Sequence, residues 1–410
     1  MRTTPALRGH RLAAIRLAAL ALATLFVASC QSQPRWYKGN LHTHTLWSDG
    51  NHFPEMVVDW YASRDYDFLA LTEHNIVADH EKWMANDMVV RRGGRSALAD
   101  YRTRFGKDWV EQREVDGKLQ VRLKQLDEIR PLFEGDGEFL LIPAEEITAA
   151  FEGKPIHINA TNVKERIAPQ TGSDVSDVIR KTLQAVEAHK QQHGRPVLTH
   201  LNHPNFGWGV TPGELAAVTE EHFFEVYNGH PSVNHQGDDK RPSTERLWDI
   251  ANTTRVRDLK AHVLYGLGTD DSHNYHNTSG STPGRGWVMV RTTELTAAAL
   301  IAAIENGDFY ASSGVVLDDI QCNGSSLTID IAAHGDGTYV TEFIGTRRGS
   351  DAVGEVLATV YGEHATYRFR GDELFVRATV TSTELCVNPV FAGQTQQAWV
   401  QPVLPASNPE

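Results

Sequence analysis

Six short segments of this sequence carry histidines, carboxylates or both. The first is Asn40-Leu41-His42-Thr43-His44, followed at once by Ser48-Asp49-Gly50. The second is Leu71-Thr72-Glu73-His74-Asn75, and the third is Ile142-Pro143-Ala144-Glu145-Glu146-Ile147-Thr148. His157 lies in Pro155-Ile156-His157-Ile158-Asn159, and two more histidines lie in Thr199-His200-Leu201-Asn202-His203-Pro204. The sixth segment is Gly268-Thr269-Asp270-Asp271-Ser272-His273. Residues two apart on an extended chain point the same way, so His42 and His44 can hold one ion together. Asp49, in the turn that follows, can reach the same cavity. Neutral imidazole with carboxylate oxygen is the donor mixture that suits Zn, Mn and Fe. Several carboxylates in one such group allow one of them to bridge two ions. A single histidine at a strand end is usually just a hydrogen-bonded or surface residue, and a lone Glu-Glu or Asp-Asp is usually a solvated turn. Six such segments, each beside an apolar run, reverse that reading.

The elements that must position them read as alternating strands and helices. Apolar runs at 68–71, 139–142, 196–198, 223–227 and 263–267 predict strands. Amphipathic stretches at 54–64, 174–193, 243–256 and 293–306 predict helices, the last with Thr293 as a cap and Gly307 as a stop. This alternation predicts a parallel α/β sheet or barrel, with its site at the C-terminal ends of the strands. The charged stretch 91–137 interrupts the rhythm. It is read as an insertion carrying a helical pattern over 121–133, either a lid or a peripheral solvated hairpin. After residue 318 the texture changes to period-two alternation at 326–331, 367–369 and 374–380, which predicts a small antiparallel β domain over 318–405. Trp399 is expected to pack that domain against the rest. No internal repeat is present.

The order His-x-His with Ser-Asp-Gly, then Thr-Glu-His-Asn, Ala-Glu-Glu-Ile-Thr, His157, His203-Pro204 and Asp271-Ser272-His273 resembles the polymerase and histidinol phosphatase (PHP) metallohydrolases. The resemblance covers 39–316, so the expected core is 36–316. It implies a distorted (β/α)7, TIM-like barrel with two or three divalent ions in its mouth, and hydrolysis of phosphoesters. It further implies that His42, His44, Glu146 and Asp271 hold a first ion. Glu146 would bridge to a second, completed by His157 and His203, and a third would lie on Asp49, His74 and His273. The chain departs from the family where Asp49 stands in place of a frequent histidine, and where Thr72-Glu73-His74 stands in place of Thr-Asp-His. Glu145 competes with Glu146, Asp270 with Asp271 and His200 with His203; motif register favours the second of each pair. Ions of this kind lower the pKa of a bound water from 15.7 towards about 7, and the hydroxide then attacks phosphorus. Zinc, manganese and iron all remain open as the metal.

Three further features bear on the reaction. Asn228 and His230 end the strand predicted at 223–227 and can face the pocket; His230 and Asp270 are the candidates for protonating the leaving group. Arg285, in Ser281-Thr282-Pro283-Gly284-Arg285-Gly286-Trp287, can clamp a phosphate with its planar fork, or serve a plain ion pair. Ser312-Ser313-Gly314 lacks the Gly-x-Ser-x-Gly pattern of a nucleophile elbow and reads as a structural turn.

Composition sets the compartment and the partners. The 410 residues are 40% hydrophobic and 22% charged, which excludes a collagen, a low-complexity chain or a wholly disordered protein. Arg2, Arg8, Arg11 and Arg16 form a basic leader before a short apolar run ending in Val27-Ala28-Ser29-Cys30. This resembles the lipobox of bacterial lipoproteins, so 1–30 is expected to be a signal peptide with Cys30 as the lipidated residue. Gln31 after it implies the outer membrane, facing the periplasm. The expected membrane link is that lipid anchor alone. Cys322 and Cys386 share the C-terminal region, where an exported protein can form a bridge or keep two thiols. The net charge of −13 disfavours long nucleic acid as a partner and leaves a small-molecule phosphoester as the expected substrate. Such a substrate needs a local positive group to draw it in. Small phosphomonoesters are the leading expectation. Phosphodiesters or nucleotides, a non-phosphate ester or amide, and a metal- or glycan-binding lipoprotein without catalysis are the alternatives.

Overall fold

The computed structural model describes residues 33–135 and 137–405. The basic leader, the apolar run and Cys30 lie outside the described residues. No helix among the described residues is long and apolar enough to cross a membrane.

In chain order the elements are β1 (Arg35–Asn40), α1 (Pro54–Ala62), β2 (Phe68–His74), β3 (Lys82–Ala85), α2 (Asn86–Gly93), α3 (Ala97–Phe105), β4 (Gln112–Val115), β5 (Lys118–Leu123), α4 (Leu126–Phe133), β6 (Leu140–Phe151) and β7 (Lys154–Thr161). There follow α5 (Val175–His193), β8 (Leu198–Leu201), α6 (Pro212–Ala217), β9 (Phe223–Asn228), α7 (Thr244–Thr253), a π turn (Thr254–Leu259), β10 (Tyr265–Thr269), β11 (Trp287–Thr292), α8 (Ala297–Glu305) and β12 (Phe309–Ser312). The chain ends in β13 (Leu317–Cys322), β14 (Ser326–Ile331), β15 (Tyr339–Arg347), β16 (Glu355–Tyr361), β17 (His364–Arg368), β18 (Glu373–Leu385) and β19 (Thr395–Val403). Two helices start where sequence signals place them, but the helix expected from Thr293 begins later: Thr296 caps α8 by accepting from Ala299 N at 3.2 Å. Pro54 opens α1, and Asp174 caps α5 by accepting from Asp177 N at 2.8 Å. Gly194 closes α5 in the left-handed conformation, with φ +60°.

The fold is mixed α/β. One 13-stranded sheet runs in the order β10-β9-β8-β7-β6-β2-β1-β11-β12-β19-β18-β15-β16. β1, β2 and β6 run parallel, as do β8, β9 and β10, but β7 is antiparallel to both its neighbours. The structure departs from the expected parallel sheet or distorted (β/α)7 barrel in two respects. One central strand is reversed, because β6 and β7 form a hairpin around Gly153. Among the described residues no backbone ladder joins β10 to β11, β12 or β19. The sheet curls until β10 lies against them all the same. Gly268 has room for no side chain, since a Cβ there would stand 2.9 Å from Trp287 O. The buried Gln401 amide satisfies both Gly266 N and Gly266 O at 2.8 Å.

Beyond β12 the chain is all strand. β15, β16, β18 and β19 extend the main sheet, and β13, β14 and β17 form a three-stranded antiparallel sheet. Trp399 on β19 stacks on Tyr227 of β9, with ring centroids 5.2 Å apart. Cys322 is exposed and Cys386 half-buried, and both are free thiols. Within the interrupting segment, the helix expected over 121–133 is a strand followed by a shorter helix. Asp116 and Gly117 both have positive φ, +52° and +71°, and turn β4 into β5 as a tight hairpin. Val121 and Leu123 then alternate into the core as a strand requires.

Buried carboxylates outside the site leave a pH signature. Glu221 lies under β8 and β9, where its Oε1 accepts from His222 N at 3.0 Å and Phe223 N at 3.1 Å. Burial pushes its pKa up from 4.5 to about 7, against the weaker pull of those donors and Arg255. The folded state thus holds this proton more tightly than the unfolded chain does. Its contribution to stability is complete below pH 4.5 and is lost as pH rises through about 7. Glu221→Gln mimics the protonated form. It is expected to be more stable than the parent by up to ~3 kcal/mol at pH 8, with the gap closing near pH 4.5. Urea unfolding of both proteins at the two pH values checks this; a gap that does not change with pH contradicts it.

Candidate metal centre

The extended segment after β1 carries the first ligand pair. His44 N donates to Ser272 O at 3.0 Å, and Asp271 N donates to His42 O at 3.0 Å. On the other side Thr72 N donates to Thr43 O at 2.9 Å. Held between two neighbours, the segment stays straight and sends both His42 and His44 inward. The ends of β2, β6, β8, β9 and β10 meet on the same rim. β7 runs the other way and enters at that rim, so it delivers His157 from its first half rather than from its end.

Strand alternation separates the competing neighbours. Glu146 turns into the centre, while Glu145 turns away and accepts from Ile167 N at 2.5 Å. Burial raises the Glu145 pKa to about 7. Asp270 accepts from the backbone N of Gly284, Arg285 and Gly286 at 2.8, 2.6 and 2.9 Å, and from Tyr61 at 2.7 Å, so it folds the 284–286 loop. Asp271 takes a left-handed φ of +48° and faces the histidines. Asn75 and His203 also have positive φ, +53° and +21°. Such strain at three non-glycine residues gathers where the strands hand over to the site.

Glu146 is the hub. Its Oε1 lies 2.8 Å from His157 Nδ1 and 3.5 Å from both His42 Nε2 and His203 Nε2. Its Oε2 lies 2.8 Å from His74 Nδ1 and 3.3 Å from His44 Nε2. Asp271 Oδ1 stands 3.2 Å from His42 Nε2 and 3.3 Å from His44 Nε2, and Oδ2 stands 3.9 Å from His203 Nε2. Asp49 faces His273 Nε2 at 3.3 Å and His74 Nε2 at 3.4 Å. Three groups that could hold a metal follow from these atoms: His44 with Asp49, His74 and His273; His42 with His203 and Asp271; His42 with His44 and Glu146. Glu146 also groups with His74 and His157.

The donor set fits divalent ions on two observations. His42 Nδ1 is turned to Glu225 Oε1 at 2.6 Å, which points Nε2 into the centre, 3.1 Å from His44 Nε2. Two ring nitrogens so placed need a cation or a proton between them. Glu146 Oε2 is buried against the ring nitrogens of His74 and His44 at 2.8 and 3.3 Å without a well-formed hydrogen bond to either. Charge balance agrees. Burial opposes ionisation of Glu146, yet His42, His157 and His74 hold its pKa well below the usual carboxylate range. Burial likewise opposes, and His42, His44, His273 and His203 overcome it, at Asp271. Burial lowers the His44 pKa to about 4, helped by the charge on His273, so this ring is neutral and free to ligate.

Behind the ligands stand orienting residues, of which Glu225 and Asn202 were not singled out on sequence. Glu225, buried on β9, accepts from His42, from Thr269 Oγ1 at 2.8 Å, from His203 N at 2.7 Å and from Asn228 Nδ2 at 2.8 Å. It therefore fixes two ligands, one directly and one through the backbone. Its signal is a lone carboxylate inside the apolar run 223–227, since a buried charge must have partners. Asn202 Nδ2 donates to Glu146 Oε1 at 2.8 Å. Glu73 accepts from Thr45 and Ser48 hydroxyls, and Ser48 Oγ lies 3.3 Å from His44 Nδ1. His200 sits 3.5 Å from Glu225 behind the ligands.

The remaining candidates fall into two places. Asn228 Nδ2 also reaches Asp271 Oδ2 at 3.1 Å, and His230 stands at the rim, 5.6 Å ring to ring from His273. Arg285 is engaged by the protein itself. Its Nη1 donates to Gly229 O at 2.8 Å and Gly280 O at 2.7 Å, and its Nε to Asn388 Oδ1 at 3.4 Å. Ser312 Oγ donates to Val315 O at 2.6 Å within a turn.

Fold and site together define an α/β protein with a buried histidine–carboxylate centre of metal-binding type. No protein-family model and no curated protein matches the chain. Among solved structures, it is similar to a two-domain protein of Bacteroides vulgatus containing a predicted PHP-like metal-dependent phosphoesterase. That likeness is 18% identical over 90% of this chain and 95% of the other, with a TM-score of 0.41. A Bifidobacterium adolescentis protein, named for a proposed metal-dependent phosphoesterase activity, is 14% identical over 61% of this chain and 93% of its own, with a TM-score of 0.34. At these TM-scores neither likeness decides the fold or the chemistry of this chain.

Proposed function

We propose that the chain is a metal-dependent phosphoesterase acting on small phosphomonoesters. The observation that carries this reading is one buried carboxylate, Glu146, set among five imidazoles, with Asp271 and Asp49 completing the groups around it. Such a set suits two or three divalent ions of the zinc, manganese or iron type. His42, His44, Glu146 and Asp271 would hold the first. Glu146, His157 and His203 would hold the second, and Asp49, His74 and His273 the third. The curled sheet serves as the distorted barrel of the PHP pattern, with 318–405 as an attached β domain and 91–137 as an insertion. The proposed location is the periplasmic face of the outer membrane, through a lipid on Cys30.

Bound divalent ions supply neutralisation of the phosphoryl oxygens and acidification of the attacking water. The protein's own groups do the rest. Glu225 holds the His42 ring so that Nε2 faces inward, and the Glu73–Ser48 pair does the same for His44. The rim residue His230 accepts from Ser232 N through Nδ1 at 3.1 Å, so its neutral form carries the proton on Nε2. That N–H can donate a hydrogen bond to the leaving oxygen. His42, His44, Glu146, His203 and Asp271 are buried, while His74, His157, His273 and the half-exposed Asp49 stand nearer to solvent.

The test uses protein from Gln31 onward, stripped and reloaded separately with Zn and Mn. Rates on p-nitrophenyl phosphate and bis-p-nitrophenyl phosphate are compared, with a chelator control. A faster, chelator-sensitive monoester rate is expected. A faster diester rate transfers the assignment to phosphodiesters, and no turnover of either with metal bound overturns it. Asp271→Ala is expected to fold and to lose metal-dependent turnover; a normal rate in that variant contradicts the ligand assignment.

A further inference from the structure

An acidic chain with carboxylates buried in its site needs a positive group at the mouth to receive an anion. Arg285 does not supply one: it is buried, and its Nη1 and Nε donate to Gly229, Gly280 and Asn388 within the protein. Two other cations hold the loop that carries Asp49. Lys82 opens β3, and Arg92 lies in the last turn of α2. Lys82 Nζ donates to Trp47 O and Arg92 Nη1 donates to Ser48 O, so the pair grips the two residues just before Asp49. Asp49 is the most exposed of the candidate ligands, with its side chain 48% accessible. The end of α2 rests on the same loop: a Cβ on Gly93 would stand 2.6 Å from Asn51 O, and Asn51 N donates to His273 O at 2.9 Å.

Both cations are half-buried, and among the described residues neither forms an ion pair. Their neighbours in the segment differ. Arg122 pairs with Glu111 at 2.6 Å, Lys124 with the same carboxylate, and Arg130 with Glu134 at 2.6 Å. Burial lowers the Lys82 pKa; Glu73 opposes this, and the charge of Arg92 adds to it, which places the two cations within each other's field. Lysine carries three N–H donors and arginine five. Each spends one on a carbonyl, and most remain for an anion.

We propose that Lys82 and Arg92 form an oxyanion subsite on the Asp49 side of the mouth, and that the substrate is a phosphoester bearing a second acidic group. This rests on the phosphoesterase reading. The second group is a carboxylate or a further phosphate; both offer the same oxygens to a lysine and an arginine.

The test is calorimetric binding of non-hydrolysable phosphonates to the Mn-loaded protein. Alkylphosphonates are compared with ω-phosphonocarboxylates and bisphosphonates of the same chain length, from two to four carbons. At the best length a diacid is expected to bind at least about tenfold tighter than its monoacid, about 1.4 kcal/mol. Carboxylate and phosphonate arms tell which second group is preferred. In Lys82→Met, and separately in Arg92→Met, that ratio is expected to fall below about threefold. Taking the ratio within each variant cancels any general loosening of the 47–51 loop, and Lys82→Met carries the test if Arg92→Met does not fold. A wild-type ratio near one, or a ratio that both variants preserve, overturns the subsite and leaves the phosphoesterase reading standing. If no phosphonate binds, that reading fails and the subsite with it.

Discussion

Glu146→Gln is expected to remove at least one tightly bound divalent ion per chain and to lower phosphomonoester turnover by about three orders of magnitude. The reason is geometric. Its two oxygens face different histidines, Oε1 towards His157, His203 and His42, and Oε2 towards His74 and His44. A carboxylate in that position joins two ligand groups, so both depend on it. The amide keeps the size of the side chain and loses one negative charge. It also turns one acceptor into an NH2 donor, aimed at ring nitrogens whose lone pairs should receive a cation. Three orders of magnitude correspond to about 4 kcal/mol, the scale on which a cation stabilises developing phosphoryl charge. Metal content by mass spectrometry and initial rate on p-nitrophenyl phosphate are measured together. A variant that keeps its metal and its rate shows that Glu146 is not a bridge. Loss of rate with full metal content assigns it to the reaction rather than to binding.

The candidate ligands were legible in the sequence because each sits beside an apolar run, and alternation along a strand has only two faces. That rule puts Glu145 and Glu146 on opposite faces, and motif register favours Glu146. It does not separate Asp271 from Asp270, which differ by the left-handed backbone of Asp271 and by the loop 284–286 that claims Asp270. Three features stayed hidden for physical reasons. Glu225 has no motif around it; its role comes from His42, 183 residues away in the chain. The reversal of β7 depends on a hairpin at Gly153, in a stretch between the strands predicted at 139–142 and 196–198. The edge of β10 is satisfied by the side chain of Gln401, a contact 135 residues distant that no local pattern encodes. Asp116-Gly117, by contrast, is a local hairpin signal, and it outweighs the helical spacing around it.

The second large effect concerns stability. Asp249→Ala is expected to cost about 3 kcal/mol, and the double variant Asp249→Ala with Arg377→Met to recover most of that loss. Asp249 on α7 and Arg377 on β18 are both buried and meet through two parallel bonds, Nε to Oδ1 at 2.7 Å and Nη2 to Oδ2 at 2.9 Å. The guanidinium carbon lies 4.9 Å from the centroid of a Trp248 ring. Burial opposes the charge on Arg377, but Asp249 and Glu245 hold its pKa above the ordinary arginine value. Removing Asp249 alone strands a buried cation. The loss stays at the low end of the usual 3–5 kcal/mol because Glu245 Oε2 remains 3.2 Å from Nη1. Removing both charges leaves only Glu245, which is part-exposed and still accepts from Thr379 Oγ1 at 3.0 Å, and methionine refills the space against Trp248. Urea unfolding followed by tryptophan fluorescence measures all the variants. If the double variant is as unstable as Asp249→Ala, the pair stabilises through its shape and bonds rather than through charge compensation. If Asp249→Ala itself costs less than about 1 kcal/mol, Glu245 is sufficient as the counter-charge and the link between α7 and β18 rests on packing alone.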